Sequence, residues 1–208
     1  MIMKTKRLML ISLIMISILT NCKKDDDTVL PVFNLKTSDI IDNLEYKIYE
    51  SLLTNWDYDT IIIVQQTMKS NSIIIDSGAY ESFVNYNNNF DTTIATDFIN
   101  KNLVNFNLDS ELLKIGDTKV IIISQEEYDY YFEGKEISSA WNNFTQKYSI
   151  KSIYRLSRVG LNDSSNQALV EFKVHSEFWD SDPNSVIHYL VLEDNKWTSK
   201  YNVTIFVE

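Results

Sequence analysis

Cysteine is nearly missing from this chain. Cys22 is the single one in 208 residues, so no disulfide can form within one molecule, and an oxidising compartment is tolerated without being needed. Proline (two) and glycine (four) are also scarce, which argues against a low-complexity or disordered chain. The glycines form no Gly-x-Ser-x-Gly elbow and no loop that could cradle a phosphate. With only two histidines, His175 and His188, a hydrolytic triad has few possible members. Positive charge is short as well: 19 Lys and Arg stand against 29 Asp and Glu, a formal charge of −10. Such a surface repels nucleic-acid phosphates, and no basic stretch with interleaved aromatics argues otherwise. No nucleic-acid partner and no cofactor are expected.

What is present begins at the N-terminus. Lys4, Lys6 and Arg7, with no acid among them, precede an unbroken apolar run from Leu8 to Leu19. This is the layout of an export signal. A helix of that run would span roughly 18 Å, short of the roughly 30 Å a permanent membrane span needs. The run ends in Leu19-Thr20-Asn21-Cys22. That tetrapeptide resembles the lipobox of bacterial lipoproteins, although Asn21 is bulkier than the small residue usual before the cysteine. The resemblance implies that residues 1–21 are a signal peptide, removed by a dedicated peptidase, and that Cys22 carries a diacylglyceryl group with a further acyl chain such as palmitate on its amino group. Several chains on one residue make a stable anchor, whereas one binds only marginally. The leader holds three of the basic residues and none of the acids, so the mature chain has 16 basic and 29 acidic residues and a formal charge of −13.

Lys23-Lys24-Asp25-Asp26-Asp27 and the unpatterned stretch through Lys36 read as a solvated tether over 22–36. They also resemble the Lys-then-acidic tags of surface-exported lipoproteins in some Gram-negative bacteria. The expected address is therefore the cell envelope, at the outer membrane, with display on the outer face also implied. Residues 37–208 remain for one domain with a sizeable core.

Ser38 and Asp39 are candidate caps for a helix with Ile41, Leu44, Ile48, Leu52 and Trp56 on its buried face and Asp42, Asn43, Glu45, Lys47 and Glu50 mainly opposite. The β-branched runs Thr60–Thr67 and Ser72–Ile75 read as a hairpin, and the polar, Asn-rich Glu81–Asp91 as a loop. A second helix is expected from Thr92, a strand over Lys119–Ile123, a helix capped by Ser124, and another over Ile137–Tyr148. Four further strands, Ser152–Val159, Gln167–His175, Ser185–Glu193 and Lys196–Val207, are separated by turn chemistry that includes Asp194-Asn195. The fold expected is α+β: an antiparallel sheet, its last four strands a meander, covered by several helices.

Trp141 and Phe144, Leu156 to Asn162 (LSRVGLN), Gln167 to Val170, Tyr189 to Leu192 and Lys196-Trp197 resemble a set of uncharacterised Gram-negative envelope lipoproteins, mainly over residues 140–200. The resemblance implies a shared fold and transfers no activity. Physically, Gly160 allows a tight backbone, Asn162-Asp163 suits a turn, and Trp141, Phe144 and Trp197 are core anchors.

Two functional readings follow. Phe178 and Trp179 between acids offer an apolar surface for a non-enzymatic binding domain whose partner is a protein or glycan. The alternative is a hydrolase or metal-dependent enzyme using His175, Glu177, Asp180, Asp182 and His188 around one hairpin, although their spacing matches no established ligand pattern. The carboxylates Asp57/Asp59 and Glu126/Glu127/Asp129 read as a helix exit and a helix first turn. No catalytic residue is assigned from the sequence.

Overall fold

A computed structural model describes residues 30–54, 58–70, 78–87, 89–178 and 185–205. The chain divides into two compact units, residues 1–32 and 33–208. Of the first, only residues 30–32 are described, without helix or strand.

Five helices and seven strands are formed among the described residues: α1 (Asn43–Leu53), β1 (Thr60–Val64), α2 (Ala79–Tyr86), α3 (Thr93–Lys101), β2 (Lys119–Ile123), α4 (Gln125–Phe132), α5 (Ile137–Tyr148), β3 (Ser152–Leu156), β4 (Gly160–Leu161), β5 (Gln167–Ser176), β6 (Ser185–Glu193) and β7 (Lys196–Ile205). The strands make one sheet in the order β2-β1-β3-β5-β6-β7, with β4 paired to β5 beyond the end of β3. The class is α+β, but the sheet is mixed rather than antiparallel. β1 runs parallel to both β2 and β3, while β3, β5, β6 and β7 pair antiparallel.

This overturns the hairpin expected at Thr60–Thr67, because both edges of β1 are already taken by β2 and β3. The physical reason lies in the run Ile61-Ile62-Ile63-Val64, every residue of which is buried. An unalternating apolar strand needs cover on both faces, which is the habit of parallel strands. The proposed partner strand, Ser72–Ile75, lies outside the described residues.

Alternation assigns the strand side chains to two faces. On one, α1 covers Ile61, Ile63, Leu156, Ala168, Val170 and Leu190. On the other, two helical pairs pack side by side. α4 and α5 cover Ile62, Val64, Ile123 and Ile153 with Tyr131, Trp141 and Phe144, and α2 and α3 cover Leu169, Ile187 and Tyr189 with Phe83, Ile94 and Phe98.

Two helical expectations need correction. α1 begins later than Ser38 and Asp39: Asp42 is its cap, accepting from the Leu44 amide at 2.8 Å, while Asp39 accepts from the Asn107 amide at 2.6 Å. Residues 81–86 of the stretch expected to be a loop belong to α2, which begins at Ala79. Its polar residues face outward, but Phe83 is fully buried, stacked on Phe90 at 5.9 Å and edge-on to Tyr201 at the same distance. Tertiary burial of one ring decides a segment whose composition alone reads as coil. By contrast Ser124 caps α4 as expected, its hydroxyl accepting from the Glu127 amide. The Asp194-Asn195 turn joins β6 to β7 with φ of 48° and 60°, the paired left-handed conformation of a type I′ hairpin.

In the segment read as tether, Phe33 lies 5.2 Å from the Tyr130 ring. Lys36 makes two main-chain bonds with the Gln65 amide side chain, each 2.8 Å.

Candidate functional site

The α1 face of the sheet is covered over only part of its extent. Away from α1, register places Ser152 beside Ser176, Tyr154 beside Val174, Phe172 beside Val186, Val186 beside Thr204 and His188 beside Asn202. All of these side chains point to the same face, and with Tyr58 and Phe178 they line a groove of about 800 Å³. Its floor is aromatic: Tyr154 stacks on Phe172 at 5.3 Å, and Tyr58 approaches Tyr154 at 6.4 Å. Tyr154 and Phe172 are buried, while Tyr58 (50% exposed) and Phe178 (72%) stand out at the rim.

Polar groups around this floor are neutral. Ser152 and Ser176 lie at one end, their hydroxyls 3.3 Å apart, and Asn202 and Thr204 lie toward β7. His188 has its Nδ1 3.2 Å from the Ser199 hydroxyl, and burial pushes its imidazole down to about 4, so the ring is neutral at physiological pH. Burial first, then the neighbouring Tyr58, holds the Tyr154 phenol well above its ordinary range, so it too is uncharged. The groove therefore has no charged lining residue among the described residues. Lys151 stands just outside, over the Phe178 ring at 5.3 Å and paired to Glu177 at 2.6 Å.

A larger crevice, about 920 Å³, runs between α1 and the β6-β7 hairpin. It is edged by Lys47, Glu50 and Lys196 and has no histidine. An apolar floor with a few converging polar groups is the more characteristic ligand site, and the aromatic groove fits that description.

The other site candidates are not gathered together. β5 and β6 pair so that His188 lies opposite Val170, five residues from His175. An odd separation puts the two imidazoles on opposite faces of the sheet. His175 is buried. Phe132, Trp141 and Tyr128 surround it at 4.6, 4.9 and 5.8 Å, and the Tyr128 hydroxyl is 3.1 Å from its Nδ1. Glu177 is committed to Lys151. Cys22, Asp57, Trp179, Asp180 and Asp182 lie outside the described residues. No group of three or more metal-ligating side chains occurs among the described residues.

Glu126 pairs with Lys36, and Glu127 is buried between Lys147 and the Tyr148 hydroxyl. Asp129 accepts from Gln125, so the carboxylates of Glu126, Glu127 and Asp129 all have structural partners, and the Asp59 main-chain carbonyl accepts from the Lys119 amide.

The stretch Leu156–Asn162 has a structural explanation. Arg158 donates from Nε and Nη2 to both oxygens of Glu45, at 2.8 and 2.7 Å, and the Val159 amide donates to the same carboxylate at 2.9 Å. Glu45 is fully buried, contrary to the expectation that it lay on the solvent face of α1. Asn102 donates from Nδ2 to the Arg158 carbonyl and accepts at Oδ1 from the Arg158 amide, and the Tyr49 hydroxyl donates to the Ser157 carbonyl. Gly160 has no room for a side chain, since a Cβ there would fall 2.4 Å from Phe98 Cβ on α3. Asn162 ties the following turn by accepting from the Asn166 and Gln167 amides.

No protein-family model, curated protein or solved structure matches this chain.

Proposed function

We propose that this chain is an envelope lipoprotein, anchored at the outer membrane through Cys22, whose globular part is a non-enzymatic binding domain. One feature supports the anchor: the charged segment, apolar run and Leu19-Thr20-Asn21-Cys22 follow in the order a lipoprotein signal requires. No helix among the described residues is long and apolar enough to cross a membrane. The resemblance of residues 140–200 to envelope lipoproteins, and the late four-stranded meander read for this chain, belong to the same reading. The observation that carries the binding role is the uncharged groove floored by Tyr154 and Phe172. Its stacked rings suit the flat or apolar part of a neutral ligand, and its hydroxyl, amide and imidazole groups fix orientation. A charged ligand would lose hydration there without finding a counter-charge.

The test uses a soluble form, residues 30–208, which includes the whole of the second compact unit. N-phenyl-1-naphthylamine, an uncharged fluorescent aromatic, is titrated in. Saturable enhancement is expected for the parent and at least a tenfold weaker response for Tyr58→Ala combined with Phe178→Ala. Both rings are exposed, so the fold should survive their removal. An unaltered titration in the double variant, confirmed folded by circular dichroism, would mean the groove is not the binding surface.

A further inference from the structure

On the opposite face of the sheet, the region between the two helical pairs is polar. Glu171 sits there, buried, with the Ser70 and Ser185 hydroxyls each donating to one of its oxygens. Beside it is a cleft of about 440 Å³ lined by Met68, Lys69, Asn105, Arg155, Glu171 and Lys173. Three cations line this cleft in a chain whose formal charge is −10.

Arg155 and Lys173 are directly paired residues of β3 and β5, so two like charges stand side by side on one face. Such a pair is unfavourable unless an anion lies between or above the charges. Among the described residues Lys69, Arg155 and Lys173 enter no ion pair, and the one carboxylate lining the cleft, Glu171, acts on Lys173 but is a single charge against three and already accepts from two hydroxyls. Arg155 is also incompletely bonded. Its Nη2 donates to Gln125 at 3.0 Å, and its guanidinium lies 5.4 Å from the Tyr128 ring. Its Nε, however, is buried without a hydrogen-bond partner. A buried guanidinium donor left unsatisfied is costly, and an oxyanion is its natural acceptor.

We infer that this cleft is a binding site for a small phosphate-bearing anion, held by Lys69, Arg155 and Lys173. The three cations leave at least two net positive charges, which match a phosphate dianion better than a monocarboxylate. The volume admits the phosphate together with a small organic substituent. Because the cleft and the aromatic groove occupy opposite faces of the sheet, this site is independent of the neutral-ligand groove.

The experiment is isothermal titration of the full chain in neutral detergent with inorganic phosphate, and in parallel with acetate, at fixed ionic strength. Saturable one-to-one binding of phosphate is expected, with acetate at least tenfold weaker. Lys173→Met should weaken phosphate at least tenfold and Lys69→Met about fivefold, whereas Lys114→Met, an exposed lysine elsewhere, should have no effect. Lys69 is exposed at the rim, so its variant remains informative if Lys173→Met fails to fold. Absence of saturable phosphate binding, equal binding of acetate, or unchanged affinity in Lys69→Met would overturn the assignment.

Discussion

Three ionisable residues, the buried Glu45 and Glu171 and the half-buried His188, are treated differently by their surroundings. Glu45 is paired on both oxygens by Arg158, with Lys101 3.7 Å away. Removing one partner of a buried pair strands the other charge, so Glu45→Ala should cost about 3–5 kcal/mol in urea unfolding. Replacing both partners, as in Glu45→Leu with Arg158→Met, should cost clearly less than Glu45→Ala. A double variant as damaged as the single one would contradict this. Gly160→Ala should destabilise by about 2 kcal/mol or more through the clash with Phe98, measured the same way.

Glu171 and His188 predict opposite pH slopes. Burial raises the Glu171 carboxyl to about 7, above its ordinary 4.5. The folded state therefore binds more protons than the unfolded state between those values, and this contribution is fully present below about 4.5 and lost as pH rises through 7, by about 3 kcal/mol at most. His188 is depressed to about 4, so its contribution is present above its ordinary 6.5 and lost as pH falls toward 4. Urea unfolding of Glu171→Gln across pH 4.5 to 8 should show the decline on the alkaline side flattened. His188→Gln should flatten the acid side instead. A parent-like profile in either variant would refute the corresponding assignment.

At the scale of elements, local chemistry was legible wherever it decided the outcome. Lys119–Ile123, Ile137–Tyr148, the Ser124 cap and the Asp194-Asn195 turn were all readable, because capping, period and left-handed turn residues act within a few positions. What stayed hidden depends on distant partners. Glu45 reads as a solvent-facing helix residue until Arg158, 113 positions away, meets it. Ile61–Val64 reads as a hairpin arm until β2 and β3 occupy both its edges. The groove was partly legible: Phe178 was singled out, but Tyr58, Tyr154 and Phe172 were not. Only the partial reach of α1 leaves their end of the sheet uncovered. α2 gives a direct check at this scale. Phe83→Ala should cost about 3–5 kcal/mol and abolish hydrogen-exchange protection of the Ser82 and Asn87 amides, which bond to Gly78 and Phe83 carbonyls. Retained protection would mean that α2 does not depend on this ring.

At the scale of the molecule, a strongly acidic chain presents two recesses of different character on opposite faces of one mixed sheet. One is neutral and aromatic beside α1, and the other is cationic between the helical pairs. Tethering by lipid would hold both close to a membrane, within reach of the envelope's own components and of whatever crosses it. That placement depends on residue 22. Intact mass and tandem mass spectrometry of the protein extracted from its native membranes tests it most directly. The predicted product starts at Cys22, lacks residues 1–21 and carries a diacylglyceryl thioether with an additional acyl chain. A product retaining the leader, or one with a free thiol at Cys22, would contradict the anchored domain proposed here.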